Sequence, residues 1–208
     1  MRKAIKPILT AIMLNLLTAQ VVINEIHYNP SGSQGSDNDY EFMELYNPGT
    51  TDIDMSGYSF TQGVTHVFAD GTTLPAGGYL VVCVDASFYA SVINDGTDGG
   101  AVVDTVSWTS GGLSNGGEDI EIVDSLGTVI DFVDYEDGSN SYGDWGTSHD
   151  GGGPSLELLD ATLDNSDAAN WQSSWIPNGT PGAVTSVEPT PTVTTVYNIQ
   201  YTDGTNGW

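Results

Sequence analysis

The chain predicts an all-β sandwich, with a signal helix in front and an extended C-terminal tail behind. Three observations carry this. Short runs rich in β-branched and aromatic residues recur, as in VVINEIH and EFMELY. Asn-Pro, Asp-Gly and Gly-Gly steps separate them, and proline or glycine at such points stops a strand and turns the chain. After the signal, only residues 85–93 read as helix. Many short strands divided by turn signals are the pattern of two packed sheets.

Residues 1–19 stand apart. Arg2, Lys3 and Lys6 make a basic head, an apolar run follows over residues 7–17, and Thr18 and Ala19 are small. That order is a secretory signal, and the run is too short to span a bilayer, which takes about 20 apolar residues. Cleavage is expected after Ala19, leaving Gln20 first.

Residues 21–48 organise the rest: VVINEIHYNP, the polar loop SGSQGSDND, then YEFMELYNP. Each flank closes on Asn-Pro, so it reads strand, stop, loop, strand, stop. Residues 39–46 alternate, with Met43 and Leu45 on one face and Glu44 and Tyr46 on the other. Period two with one apolar face marks a half-buried strand. A turn at 49–51 leads to a short edge at 52–55, and Ser56-Gly57 turns again before strands at 58–61 and 64–68. Asp70-Gly71 and residues 75–78 bracket 72–74. Residues 79–85 are the most apolar strand and are expected at the centre of their sheet. Asp85 can cap a helix over the residues that follow.

Residues 94–100 form a loop, 101–108 a strand and 110–117 a glycine-rich loop. Residues 118–124 and 128–135 alternate around Ser125-Leu126-Gly127, a hairpin in which Gly127 suits a positive φ. Residues 136–153 are a long polar loop with Tyr142, Trp145 and His149, and 154–159 are expected as the last strand. Residues 20–185 thus read as one domain and 186–195 as an extended Pro/Thr linker. In residues 196–208 aliphatic and aromatic side chains alternate, which reads as the truncated start of a further domain.

Several of these segments resemble the bacterial lamin-tail domain: VVINEIHYNP, EFMELYNPG, DMSGYSF, LPAGGYLVV, GGLSNGGEDIEIVD, and GGGPSLELLDATLDNSDAANW ending at GTPGA. The resemblance covers roughly residues 20 to 185 in the family's order. It implies an immunoglobulin-like β-sandwich, a non-catalytic module of secreted or surface proteins often joined to nucleases or other hydrolases. It brings no catalytic residues to this chain.

Charge narrows the partners. The chain has 3 basic and 28 acidic residues, and all the basic ones lie in the signal, so cleavage moves the formal charge from −25 to −28. Nucleic-acid binding draws most of its affinity from Lys and Arg on phosphates. A chain with neither is repelled by DNA and by anionic membrane surfaces. An extracellular protein, a carbohydrate or a domain downstream in the same chain remain as partners.

Cys83 is the only cysteine and lies in an apolar run, so it reads as a small core hydrophobe. His27, His66 and His149 show no ligand spacing, so zinc is not expected. Neither a hydrolase nucleophile elbow nor a Lys-bearing phosphate loop is read from the chain. A paired-carboxylate glycosidase needs two fixed carboxyls across a cleft, for which a compact sandwich offers no obvious place. Calcium takes clustered carboxylate and carbonyl oxygens from loops. The candidates are residues 37–41, Asn94-Asp95 with Asp98, residues 134–137 with Asp144, and Asp164 with Asp167. Asp37, Asp39 and Glu41 come first, because the strand beginning at Glu41 would fix one ligand. Tyr142 and Trp145 are candidate surfaces for a sugar or protein partner, with Trp171 and Trp175 further along.

The expectation is a secreted or cell-surface binding or spacer module without catalytic activity of its own. Two alternatives are an accessory domain of a secreted hydrolase such as an extracellular nuclease, and a calcium-stabilised adhesion module. Adaptation to high salt would explain the charge with no ligand at all.

Overall fold

A computed structural model describes residues 20–92, 103–138 and 145–186 of the chain. The expected signal peptide, residues 196–208 and all of the expected linker except Ser186 lie outside the described residues. The strands are β1 (Val22–His27), β2 (Phe42–Tyr46), β3 (Ile53–Asp54), β4 (Ser59–Gln62), β5 (Val64–Val67), β6 (Thr73–Leu74) and β7 (Tyr79–Cys83). They continue as β8 (Asp104–Ser107), β9 (Ser110–Gly111), β10 (Glu118–Val123), β11 (Val129–Tyr135), β12 (Pro154–Leu158) and β13 (Trp171–Pro177). Among the described residues, helical turns are confined to α1 (Asp37–Tyr40), α2 (Ala86–Val92) and a 3₁₀ turn at Ala168–Asn170.

A six-stranded sheet in the order β13-β12-β1-β2-β7-β8 faces a five-stranded sheet in the order β11-β10-β4-β5-β9, and β3 pairs with β6 as a small ribbon. Among the described residues, the β7–β8 pairing alone is parallel; the other pairings are antiparallel. The core forms where the inward faces meet. Ile23, Ile26, Met43, Leu45, Leu80, Val82, Leu156 and Leu158 come from one sheet, and Phe60, Val64, Ile120, Ile122 and Val133 from the other. The chain is an all-β sandwich.

Local chemistry explains the elements. Asp85 caps α2 through its Oδ1, which accepts from the N–H groups of Ser87 and Phe88. The hairpin turn closes with the Gly127 N–H donating to the Asp124 carbonyl, and Gly127 sits at φ +81°, which a side chain would oppose. Cys83 is buried, and burial pushes its thiol up to about 12.

Four expectations need correction. Residues 37–40 are a turn of helix, because the Ser36 side chain accepts from the Asn38 N–H and caps it. Residues 154–159 are not the last strand: β13 adds to β12, its Trp171 indole donating to the Asn165 carbonyl at 2.8 Å. Strand β7 lies one place from the edge, since the parallel β8 alone follows it. Finally, β2 is not half-buried. Its outer face is covered too, and Glu44 is 0% exposed.

Candidate functional site

The outer face of the six-stranded sheet carries three cross-strand rows. Strand pairing aligns His27, Phe42 and Cys83 in the first, then Glu157, Glu25, Glu44 and Val81, then Val22, Tyr46 and Tyr79. Each row meets a different cover. Helix α2 seals the first, with Tyr89 packed on Phe42, Val81 and Cys83. The segment 178–186 lies across the second. The third opens into a pocket.

The glutamate row is costly to bury. Three carboxyls sit side by side, each at most 1% exposed, where an unpaired charge is strongly disfavoured. The described chain contains no Lys or Arg to pair with them. Hydrogen bonds from the covering segment and from neighbouring strand residues take over that task. Glu25 accepts from the Ser155 hydroxyl at 2.6 Å and the Thr180 N–H at 3.0 Å. Glu44 accepts from the Asn24 amide at 2.9 Å and from the Gly182 N–H. Glu157 accepts from the Thr180 hydroxyl, from the Gln172 amide, and from both the N–H and hydroxyl of Ser186.

Burial raises the Glu25 carboxyl well above the usual range, and the neighbouring Glu44 and Glu157 charges add to the rise. Burial likewise pushes Glu44 up to about 8, opposed by the Gly182 and Asn24 donors and reinforced by Glu157. Gly179 lets the segment come this close. It has φ +77°, and a Cβ there would collide with the Glu25 carboxylate and the Ser155 hydroxyl.

The pocket of about 440 Å³ lies beside this row, lined by Asn24, Tyr46, Pro48, Tyr79, residues 159–162, Val184 and Thr185. Tyr46 and Tyr79 are direct cross-strand partners and stack with centroids 4.5 Å apart and planes at 21°. Leu159 and Val184 are exposed. Asp160 accepts from the Thr162 N–H at 2.8 Å and its hydroxyl at 2.7 Å, which holds its carboxyl below the usual range. The Tyr79 hydroxyl is pushed up to about 12 by burial first, then by Tyr46, Glu44 and Glu25. It therefore stays neutral at ordinary pH.

The residues singled out in the sequence lie elsewhere. Asp37 and Asp39 sit on α1, where Asp37 accepts from the Asn115 amide at 3.1 Å. Glu41 turns away from them into the protein, accepting from the Leu113 N–H at 2.9 Å, and burial pushes it up to about 7. Among the described residues, no three of His, Cys, Asp and Glu gather as a metal-ligand set. Of the other calcium candidates, Asn94, Asp95, Asp98 and Asp144 lie outside the described residues. Asp164 and Asp167 each accept from N–H groups two residues on.

Trp145 is 6% exposed and packs against Trp171 at 5.9 Å, so its ring fills the core and is no exposed stacking surface. Tyr142 lies outside the described residues. Trp175 is exposed on β13. His27 is buried between the carbonyls of Tyr40 and Gly153. His149 is buried beside the Ser173 hydroxyl, and His66 packs edge-on against Phe68.

One motif escapes the sequence reading above: Gly112-Leu113-Ser114-Asn115-Gly116 matches Gly-x-Ser-x-Gly by its letters. It joins β9 to β10 instead of leading a strand into a helix, as a nucleophile elbow must. Ser114 is tied into the loop, its N–H donating to Glu118 at 2.6 Å and its carbonyl accepting from the Tyr135 hydroxyl. The pocket also escaped, because its lining comes from five separated stretches of chain. Only the alternation that set Tyr46 opposite Leu45 hinted at it.

The Lamin Tail Domain family model matches residues 17–137. Glu25, Glu44, Tyr46 and Tyr79 fall inside that span, while Glu157 and the covering segment lie beyond it. No curated protein matches the chain. A solved structure of a DUF4876 family protein from Bacteroides thetaiotaomicron is similar with a TM-score of 0.48 and 10% identity, over 85% of this chain and 73% of that one.

Proposed function

The chain belongs to the lamin tail domain family, and from this premise we infer that it works as an extracellular module that binds or spaces without catalysing a reaction. The observation that carries the reading is the open pocket beside the buried glutamate row. Pockets of a few hundred Å³ with aromatic walls and a few polar groups are the usual places for ligands. Export follows from residues 1–19 and removes every Lys and Arg from the chain. The exported chain then repels polyanions, which supports neutral or cationic partners over nucleic acid and anionic membrane.

The test has two parts. Secreted protein from an exporting host should begin at Gln20. Incubated at 0.15 M salt with immobilised extracellular proteins and polysaccharides, with DNA and with anionic vesicles, it should be retained by a member of the first group and leave every polymer chemically unchanged. Turnover of any of them, or retention on DNA or the vesicles, would overturn the reading.

A further inference from the structure

We propose that the Tyr46–Tyr79 pocket is a receptor for an arginine side chain presented by a basic polypeptide. The proposal rests on the binding-module reading and names the partner's chemistry. It stands on three observations.

The first is the bonding left over in the lining. The Thr162 hydroxyl is spent on Asp160 and the Thr185 hydroxyl on the Leu158 carbonyl. One Asn24 amide N–H goes to Glu44. What faces a ligand is the Asp160 carboxylate together with the Tyr46 and Tyr79 phenol oxygens. A guanidinium has five donors and no acceptor, and each of these oxygens can accept from it.

The second is the aromatic wall. Tyr46 and Tyr79 stack on each other, which leaves each ring one outer face. A guanidinium is flat, weakly hydrated and stacks on such faces, whereas a compact ammonium is strongly hydrated. The exposed Leu159 and Val184 beside them offer apolar surface to the methylenes of the arginine stem.

The third is charge. Asp160 is an exposed carboxylate in the lining, and there is no Lys or Arg among the described residues to offset it. An arginine would supply the positive charge that this chain lacks.

The test uses the full chain in 0.15 M salt, where long-range attraction to a highly acidic protein is screened beyond about 8 Å. Calorimetry compares a Gly-Arg-Gly-Arg-Gly peptide with its citrulline counterpart, which keeps the shape and loses the charge. The expected result is one saturable site for the arginine peptide and at least tenfold weaker binding of the citrulline one. Asp160→Asn should weaken binding about fivefold and Tyr79→Leu about tenfold. Asp70→Asn, an equal change of charge on an exposed turn, should leave it unaltered. Asp160 is exposed, so its variant tests the proposal even if Tyr79→Leu unfolds. Equal losses in Asp160→Asn and Asp70→Asn would show diffuse attraction only and overturn the proposal. So would equal binding of the two peptides, or no binding. Binding of a neutral oligosaccharide that Tyr79→Leu abolishes would overturn the arginine proposal and leave the binding-module reading standing. Chemical turnover of the peptide would overturn both.

Discussion

Glu44 is the group through which pH should act most directly on this fold, and Glu44→Gln isolates it. In the folded chain burial keeps its proton on up to about pH 8, while an unfolded chain releases it near the ordinary glutamate value. Between those limits the folded state binds more protons than the unfolded one. The contribution is therefore fully present below about pH 4.5 and is lost as pH rises through about 8. Glu25 and Glu41 are raised as well, as is Asp131 on β11, which accepts from the Ile23 N–H, and all act in the same direction. The interval from 4.5 to about 8 corresponds to a ceiling of about 5 kcal/mol. Water entry and movement of the 178–186 segment reduce it to about 2–4 kcal/mol.

The expected outcome is a wild-type chain less stable at pH 9 than at pH 5, by urea unfolding at constant ionic strength. Glu44→Gln keeps the shape. Its amide oxygen can still accept from Gly182, and Asn24 can turn its own amide over to accept from the new NH₂. The variant should match the wild type within about 1 kcal/mol at pH 5 and exceed it by about 2 kcal/mol at pH 9. A wild type that gains stability between pH 5 and 9, or a variant with the same pH slope, would refute the reasoning.

The remaining expectations are simpler. Gly179→Ala places a methyl against Glu25 and Ser155 from a left-handed backbone, so it should cost about 2–4 kcal/mol, and an unchanged melting midpoint would show that the segment does not seal the row. Cys83 should resist thiol reagents in the native state and react only on unfolding, because it is buried and its thiol is pushed up to about 12; rapid labelling would contradict this. The double variant Asp37→Asn, Asp39→Asn should melt with the same calcium dependence as the parent chain, since Glu41 bonds Leu113 instead of joining them. A selective loss of calcium response would return the ion to that loop. The melting midpoint of the chain should rise steadily as sodium chloride goes from about 0.01 to 0.5 M, because screening relieves unpaired carboxylate repulsion, and a flat or falling curve would argue against net repulsion.

What the sequence determined by itself is the local grammar. Alternation placed Met43 and Leu45 on the core face of β2, proline and glycine punctuated the strands, and Ser125-Leu126-Gly127 marked the hairpin. Asp85 announced the cap of α2, and the charge, an additive property of the residues, followed from counting. These features depend on neighbours in the chain, so they are visible there. Tertiary structure alone decided what lies over the second face of the central sheet. Glu25, Glu44 and Glu157 are each ordinary polar positions in an alternating strand; pairing across β12, β1 and β2 sets them side by side, and 178–186 folds back across them. Likewise Trp145 reads as a loop aromatic until Trp171, far along the chain, packs against it. Burial is a property of contacts between distant residues, and the same letters are solvated or sealed according to which segment returns to cover them.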